Sequence, residues 1–334
     1  MAYHLRSGEP VADGVKRAAS EELQFASSQL DRPAGAARDE AIHEARKSIK
    51  KVRGLLRLVR PELGRVYRSE SDCLGEIGST LSEFRDAGAI IGTFDGLREK
   101  YRHELGRRRL SAIRRGLVRR KAEAEHQANI DEVLHRMSMS LHAAGDRATS
   151  WPLKGTGFRA IARGLEESYR RGERAMVRAR RRPSPENLHT WRKRVKDLWY
   201  HVRLLEHLWT EVMLAYEKSL KDMETWLGEY HNLAVLRDKL IAEPGYYGRS
   251  KDVEFVLDLV RKYQKELRAN AFSLGERVYE EKPRAFVQHM KHLWESWQAQ
   301  PKTLDAVQKL ERRAKRANKS GSTQRPPKIS GTAA

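Results

Sequence analysis

Apolar residues recur at spacings of three and four along most of the chain, which is the pattern of amphipathic helices. Strand-like alternation of β-branched and aromatic residues is rare, so we predict an all-α fold. In the first half the pattern predicts helices near 11–30, 36–60, 64–92, 94–121 and 123–144. In the second half it predicts helices near 158–182, 184–208, 211–229, 231–242, 250–279 and 283–298.

Glycine and proline punctuate this pattern and divide the chain. The segment 144–157 contains Gly145 and Pro152, and it is the natural boundary between two halves of ordinary domain size. Ser184 followed by Pro185 is typical of a helix start, with the serine as N-cap and the proline in the first turn. We therefore predict a first helical repeat at 1–147, a second at 148–300, and a basic, disordered tail at 301–334.

Two segments separated by 146 residues repeat the same basic pattern. Residues 43–59 read HEARKSIKKVRGLLRLV, and residues 189–205 read HTWRKRVKDLWYHVRLL. A shorter block recurs at the same offset, since LSEFRDAG at 81–88 matches LGEYHNLA at 227–234. Two motifs that share one offset indicate an internal duplication.

On a helical wheel, the first segment separates a cationic stripe from an apolar stripe that includes Ile42, Ile49 and Leu56. Successive cations lie about one turn, or roughly 5 Å, apart, so a linear polyanion along the stripe would meet a new cation at each turn. We call this cationic stripe the first ladder. It consists of His43, Arg46, Lys47, Lys50, Arg53 and Arg57.

The second segment keeps most of this stripe, which we call the second ladder. It departs at Trp199, which replaces the cation held by Arg53, and at Asp197, which stands where Lys51 was. We therefore expect the first ladder to bind anions more tightly. The second ladder consists of His189, Arg192, Lys193, Lys196 and Arg203.

A single cationic helix face is usually only a solvated face. A second copy favours a function, because a solvated face is free to diverge between the copies. Arginine binds phosphate oxygens in a bidentate way, lysine supplies a compact charge, and histidine gains charge beside an anion. The same residue types suit any phosphate chain, so the ladders alone do not select one polyanion.

The composition supports a polyanionic partner. The chain has 66 Lys and Arg against 45 Asp and Glu, which gives a net charge of +21. Such an excess attracts nucleic acid, an anionic membrane surface or a phosphate polymer.

Cys73 is the one cysteine, so no disulfide forms within the chain. With no apolar signal region and no run near the roughly 18–20 residues of a membrane span, we expect a cytoplasmic protein.

At these motifs the chain resembles the CHAD family, a helical domain named for its conserved histidines. The two His-x-x-Arg-Lys-x-x-Lys motifs and the Leu-x-x-x-Arg-Asp block at 81–86 carry the resemblance, which extends over about residues 1–298. It implies two four-helix bundles with pseudo-two-fold symmetry and a basic groove or channel between them. It also implies non-enzymatic binding of inorganic polyphosphate and association with polyphosphate granules.

The resemblance implies a binding site that combines both ladders. Arg85 of the Leu-x-x-x-Arg-Asp block joins them, and Arg17 and Arg163, which share the 146-residue offset, are expected to line the same groove. Many relatives carry a triphosphate tunnel enzyme domain marked by Glu-x-Glu-x-Lys strands. The nearest match, at 123–127, lacks the lysine and lies in a helical pattern, so we predict no appended catalytic domain.

Two other functions remain open. Nucleic-acid binding agrees with the charge, although no helix-turn-helix, zinc-finger or RNA-binding sheet signature is present. A metal-dependent hydrolase of polyphosphate or phosphate esters needs clustered carboxylates, and we predict no metal site and no cofactor. The dense basic run at 107–121 is interpreted as a solvated face, with a docking surface for a large anion as the alternative. The sequence leaves the oligomeric state open.

Overall fold

The computed structural model describes residues 3–31, 37–83, 86–106, 110–126 and 130–299. Within them every regular element is helical, which confirms the predicted all-α class. The first half contains α1 (Val11–Leu30), α2 (Ala37–Leu58), α3 (Arg60–Leu63), α4 (Val66–Glu83), α5 (Asp86–Lys100), α6 (Arg102–Leu105), α7 (Ser111–His126) and α8 (Ile130–Thr149). The second half contains α9 (Arg159–Arg181), α10 (Pro185–Leu204), α11 (Thr210–Ala242), α12 (Ser250–Val278) and α13 (283–299), with 3₁₀ turns at Glu206–Leu208 and Pro244–Tyr247.

The long helices pack in two groups of four, one in each half. In the first half α1 and α4 each contact α2 and α8, and in the second half α10 and α12 each contact α9 and α11. The helices bury apolar stripes, and Ile49 and Leu55 of the first half belong to the same continuous hydrophobic core as Ile161 and Trp191 of the second. Helix α5 packs on both α7 and α11 and so links the halves. The predicted boundary after residue 147 falls in the last turn of α8.

The halves also meet where α2 crosses α9 and α10. A Cβ atom on Gly164 of α9 would lie only 1.7 Å from the carbonyl oxygen of Leu58, so α9 approaches the end of α2 along a glycine. On α10, the ring of the fully buried His201 contacts the carbonyl oxygen of Gly54 through Nε2 at 2.9 Å. Burial lowers the pKa of His201, which favours the neutral ring donating from Nε2 to this carbonyl. These contacts hold α2, which carries the first ladder, against the second half.

Two of the predicted helix boundaries are wrong. The predicted helix 94–121 is interrupted, because α6 ends at Leu105 and Gly106 follows with φ 52°, a conformation that favours glycine. The predicted helices 211–229 and 231–242 form the single helix α11. Gly228 lies inside α11, where a Cβ would be 2.9 Å from an Nη atom of Arg192. The absence of a side chain at Gly228 allows Arg192 to pack closely against α11, and the helix continues through this glycine.

Several other predictions fall partly outside the described residues. The predicted helix 64–92 corresponds to α4 and α5, which flank residues 84–85. The predicted helix 123–144 corresponds to α8, which begins at Ile130. The tail predicted at 301–334 lies outside the described part of the chain. Among the helices that the structure describes, none is long and apolar enough to cross a bilayer.

The basic run at 107–121 is described from residue 110 onward, and its cations make contacts within the molecule. Arg114 forms a bidentate pair with Asp95, with Nε–Oδ1 and Nη2–Oδ2 distances of 3.0 Å. Arg119 donates to the hydroxyl of Tyr246 at 2.7 Å and stacks on its ring. The interpretation as a solvated face was therefore incomplete, because part of the run docks α7 against α5 and the turn after α11.

The predicted start of α10 is confirmed. The side chain of Ser184 accepts a hydrogen bond from the backbone N–H of Asn187 at 3.3 Å, and Pro185 is the first helical residue. We expect Ser184→Ala to lower the free energy of unfolding by about 1 kcal/mol, because the N–H loses its acceptor. Chemical denaturation measures the change, and Ser184→Asp, which restores an acceptor, should recover most of it. Equal losses in both variants would contradict the capping role.

Candidate anion-binding site

A cavity of about 690 Å³ lies between α2 and α10, and we call it the basic cavity. It is lined by cations of both ladders. The side chains come from α2 (Arg46, Lys50, Arg53, Arg57), from α10 (His189, Arg192, Lys193, Arg194, Lys196, Asp197, Tyr200), from α11 (His231, Asn232, Val235), and from α4 and α5 (Ser82, Ala89, Ile90). Two helices that are far apart in sequence thus present their cations to one shared volume.

A smaller pocket of about 220 Å³ adjoins the basic cavity on the side of the first ladder, and we call it the recess. It shares Arg46, Lys50, Arg53 and Ser82 with the basic cavity. Its floor is formed by α4, where small residues leave room beside the cations. Among the described residues, the lining consists of Arg46, Ile49, Lys50, Arg53, Gly75, Gly78, Ser79 and Ser82.

Two residues of the predicted first ladder lie outside both pockets. Lys47 turns to Glu44 on the same helix, and its Nζ donates to the two carboxylate oxygens at 3.1 and 3.0 Å. The Nε2 atom of His43 lies 4.0 Å from the same carboxylate. Glu44 therefore engages Lys47 and lies beside His43, while the other four cations of the ladder line the cavity: Arg46, Lys50, Arg53 and Arg57.

The structure does not bring Arg17 or Arg203 to the basic cavity either. Arg17 forms a bidentate ion pair with Glu9, with an Nε–Oε1 distance of 2.8 Å. Arg203 lies beside Glu217, at 3.9 Å. Both arginines have acidic neighbours in the fold, and neither lines the basic cavity. Arg85 lies outside the described residues.

Arg163 lines a second cavity, of about 530 Å³, which shares Arg57, Arg194 and Asp197 with the basic cavity. Asp197 accepts hydrogen bonds from Arg57 at 3.0 Å and from Arg194 at 3.2 Å. This carboxylate therefore stands between the two cavities. It also neutralises Arg57, so a substitution noted in the second ladder reduces the free charge of the first.

The position of Trp199 agrees with the loss of a cation from the second ladder. Its indole is buried, stacks on Tyr200 with ring centroids 5.0 Å apart, and donates to Glu217 at 3.0 Å. Lys221 lies over the same indole at 4.7 Å. Trp199 is thus a packing residue that also fixes two charged neighbours.

Sequence reasoning missed Glu224 of α11. Its buried carboxylate accepts from Arg192 and Lys196, both at 3.0 Å, and from Lys221 at 3.1 Å. Burial raises the pKa of Glu224, but Lys196, Arg192 and Lys221 outweigh it and hold that pKa at about 2. Glu224 is a carboxylate and therefore does not belong to the cationic pattern that defines the ladders. The available signal was the repeat, which aligns Glu224 with Gly78 at the 146-residue offset.

Lys50 has a different environment. Its ammonium makes no hydrogen bond or ion pair with any residue that the structure describes. Burial, together with the charges of Lys196, Arg46 and Arg192, lowers the pKa of Lys50 to about 7. Lys50 is therefore a cation that the fold brings close to other cations and leaves only partly charged at neutral pH.

The histidine of the second ladder lies against a second histidine in the cavity wall. The rings of His189 and His231 lie with centroids 4.2 Å apart. Burial, His231, Lys193 and Arg192 lower the pKa of His189 to about 4. His189 is therefore neutral at physiological pH in the free protein, and it offers phosphate oxygens an N–H donor without a charge.

A family model described as the CHAD domain matches residues 22–240, which is more than half of the chain and includes both ladders. The chain belongs to the CHAD domain family. The crystal structure of the CHAD domain from the plant Ricinus communis is similar to this CHAD domain with a TM-score of 0.59 at 16% identity. The match covers 84% of this chain and 95% of the plant chain, so the two share a fold. A comparison with curated proteins found no match.

The donor set of the basic cavity suits oxyanions. Guanidinium and ammonium groups supply charged donors, and the described part of the lining contains one carboxylate, Asp197, which two arginines already engage. Over the described part of the chain, no group of three or more His, Cys, Asp or Glu residues is placed to hold a metal ion. The family model names no catalytic activity.

Proposed function

We propose that this protein binds inorganic polyphosphate in the basic cavity without hydrolysing it, in the cytoplasm and at polyphosphate granules. The supporting observation is that α2 and α10 present cations of both ladders to one volume of about 690 Å³. A linear anion in this volume is neutralised from two sides, and each neutralised phosphate releases a counterion. Affinity should therefore fall steeply as the salt concentration rises.

The lining favours polyphosphate over nucleic acid. Proteins that bind single-stranded nucleic acid combine a basic groove with exposed aromatic faces on which bases stack. Tyr200 is the tyrosine in the lining, and it is 2% exposed and stacked on Trp199. Phosphate groups need charged donors and no stacking surface, and the cavity supplies the former.

The proposal is tested by reversing two cations that line the cavity. We expect Lys50→Glu with Lys193→Glu to weaken binding of long-chain polyphosphate by about 100-fold, because two attractive charges become repulsive. The matched control is Lys47→Glu with Lys218→Glu. It changes the net charge by the same amount as the cavity variant, but its two positions, on α2 and α11, lie outside the cavity. Titration at fixed salt measures both variants. Equal losses would show that the net charge, and not the cavity, governs binding.

Two further measurements separate the rival functions. Single-stranded DNA or RNA added at equal phosphate concentration should fail to displace polyphosphate, and efficient displacement would favour a nucleic-acid-binding protein. Incubation of polyphosphate with the protein and magnesium or manganese should leave its chain length unchanged, and shortening would establish a hydrolase. In cells, the cavity variant should leave the granules while the control variant remains there.

A further inference from the structure

The two ladders differ in what faces them inside the fold. In the second half, the buried carboxylate of Glu224 accepts from Arg192 and Lys196, both at 3.0 Å. The position that matches Glu224 at the 146-residue offset is Gly78 of α4, which has no side chain. Lys50 matches Lys196 at the same offset, and the described lining of the recess beside it contains no carboxylate. The charge of Glu224 acts on Lys50 and raises its pKa, but this effect is smaller than the lowering by burial and by the neighbouring cations.

The recess has the size and chemistry to receive a phosphoryl group. Its volume of about 220 Å³ is bordered by the cations of the first ladder and by the hydroxyl of Ser79. A Cβ on Gly75 would lie 3.6 Å from Nη2 of Arg53, so the small residues of α4 allow the guanidinium to lie against the helix. Cations that are partly removed from water without a counter-charge are unfavourable, and an anion between Lys50 and Arg53 would relieve that cost.

We propose that the recess is the primary phosphoryl-binding subsite, and that Glu224 takes the place of the anion in the second half. The proposal rests on the proposed function and names the part of the cavity that binds first. A phosphate that approaches Arg192 and Lys196 competes with the Glu224 carboxylate, whereas a phosphate in the recess meets no competing carboxylate among the described residues of its lining. The ligand is a phosphoryl group of a polyphosphate chain or of a short oligophosphate.

The test transfers the acidic residue from one half to the other. A Cβ on Gly78 would have Ile49 Cγ2 at 3.6 Å as its neighbour, which is an ordinary contact, so the position accepts a side chain. We expect Gly78→Glu to weaken binding of tripolyphosphate by about tenfold or more, because the new carboxylate occupies the recess. Gly78→Gln, which has nearly the same shape and no charge, should weaken binding by about threefold at most.

The complementary variant is Glu224→Gln, which releases Arg192 and Lys196 from their carboxylate. We expect it to bind tripolyphosphate several-fold more tightly, because the second ladder no longer holds an internal anion. The same variant should melt at a lower temperature when it is free, since its half-buried cations lose their partner, and polyphosphate should restore much of the difference.

The outcomes distinguish this proposal from the function on which it rests. Wild-type protein that binds neither tripolyphosphate nor long-chain polyphosphate would overturn both. If the wild type binds, any of three results would overturn the assignment to the recess and leave the function intact. Gly78→Glu could bind with wild-type affinity, Gly78→Gln could bind as weakly as Gly78→Glu, or Glu224→Gln could bind more weakly than the wild type. If the variants at position 78 do not fold, Ser79→Asp against Ser79→Asn tests the same pocket from an exposed position, with the same expected order.

Discussion

Replacing Gly164 with alanine is expected to lower the free energy of unfolding by about 3 kcal/mol or more. The added Cβ would lie 1.7 Å from the carbonyl oxygen of Leu58 and 2.8 Å from its Cα atom. Both atoms belong to the backbone of α2, so no side chain can rotate away and the helices themselves must separate. Because α2 carries the first ladder, the displacement should also weaken polyphosphate binding in any fraction that remains folded.

Gly96→Ala is the matched control for this prediction. Gly96 lies inside α5 with nothing near the position of a new Cβ, so alanine there should be neutral or stabilising by up to about 1 kcal/mol. Chemical denaturation of the two variants, followed by polyphosphate titration, measures both effects. If Gly164→Ala were as stable as Gly96→Ala, the contact between α9 and α2 would not be the constraint inferred here.

The pattern of the sequence predicted the features that depend on local periodicity. The apolar stripe that includes Ile42, Ile49 and Leu56 is buried, as the helical wheel requires, and Ser184 caps α10. The spacing of apolar residues does not determine the backbone dihedral angles, so it did not predict that α6 ends just before Gly106 with its positive φ. It also did not show that Gly228 continues α11, because that depends on Arg192 packing over the glycine.

The sequence predicts those parts of the site that depend only on where cations lie on a helix face. Arg17 and Arg163 share the repeat offset equally, yet Arg17 pairs with Glu9 while Arg163 reaches the second cavity. Whether an arginine pairs with a carboxylate depends on how distant segments pack, and residue spacing does not predict that packing. Glu224 illustrates the same limit, since its importance lies in three cations brought to it by the fold.

The asymmetry between the ladders has a different origin from the one expected. Trp199 and Asp197 led us to expect tighter binding by the first ladder. Asp197, however, pairs with Arg57 of that same ladder, so it weakens the half that it was expected to favour. The stronger difference lies at the pair of positions occupied by Gly78 and Glu224, where only the second half supplies its own anion.

Polyphosphate affinity is expected to fall as the pH rises above 7. Burial and the cations Lys196, Arg46 and Arg192 lower the pKa of Lys50 to about 7 in the free protein. A bound phosphate favours the charged ammonium, so the pKa of Lys50 is higher in the complex. Below pH 7 Lys50 is charged in both states and affinity is constant. Between the two pKa values binding must take up a proton, and affinity falls by up to about tenfold per pH unit.

Lys50→Arg separates this linkage from other effects of pH, because arginine remains charged throughout the range. Calorimetry at pH 8 in two buffers of different ionisation enthalpy should detect proton uptake by the wild type and almost none by the variant. Long chains keep the titrating terminal phosphates a minor fraction. His189 has a pKa of about 4 in the free protein, so its pKa would have to rise by about four units in the complex before it took up a proton at this pH. The free wild type should also gain stability from pH 7 toward 10.5, since the unfolded chain keeps the proton that folded Lys50 has lost. Equal proton uptake by both proteins would place the titrating group elsewhere.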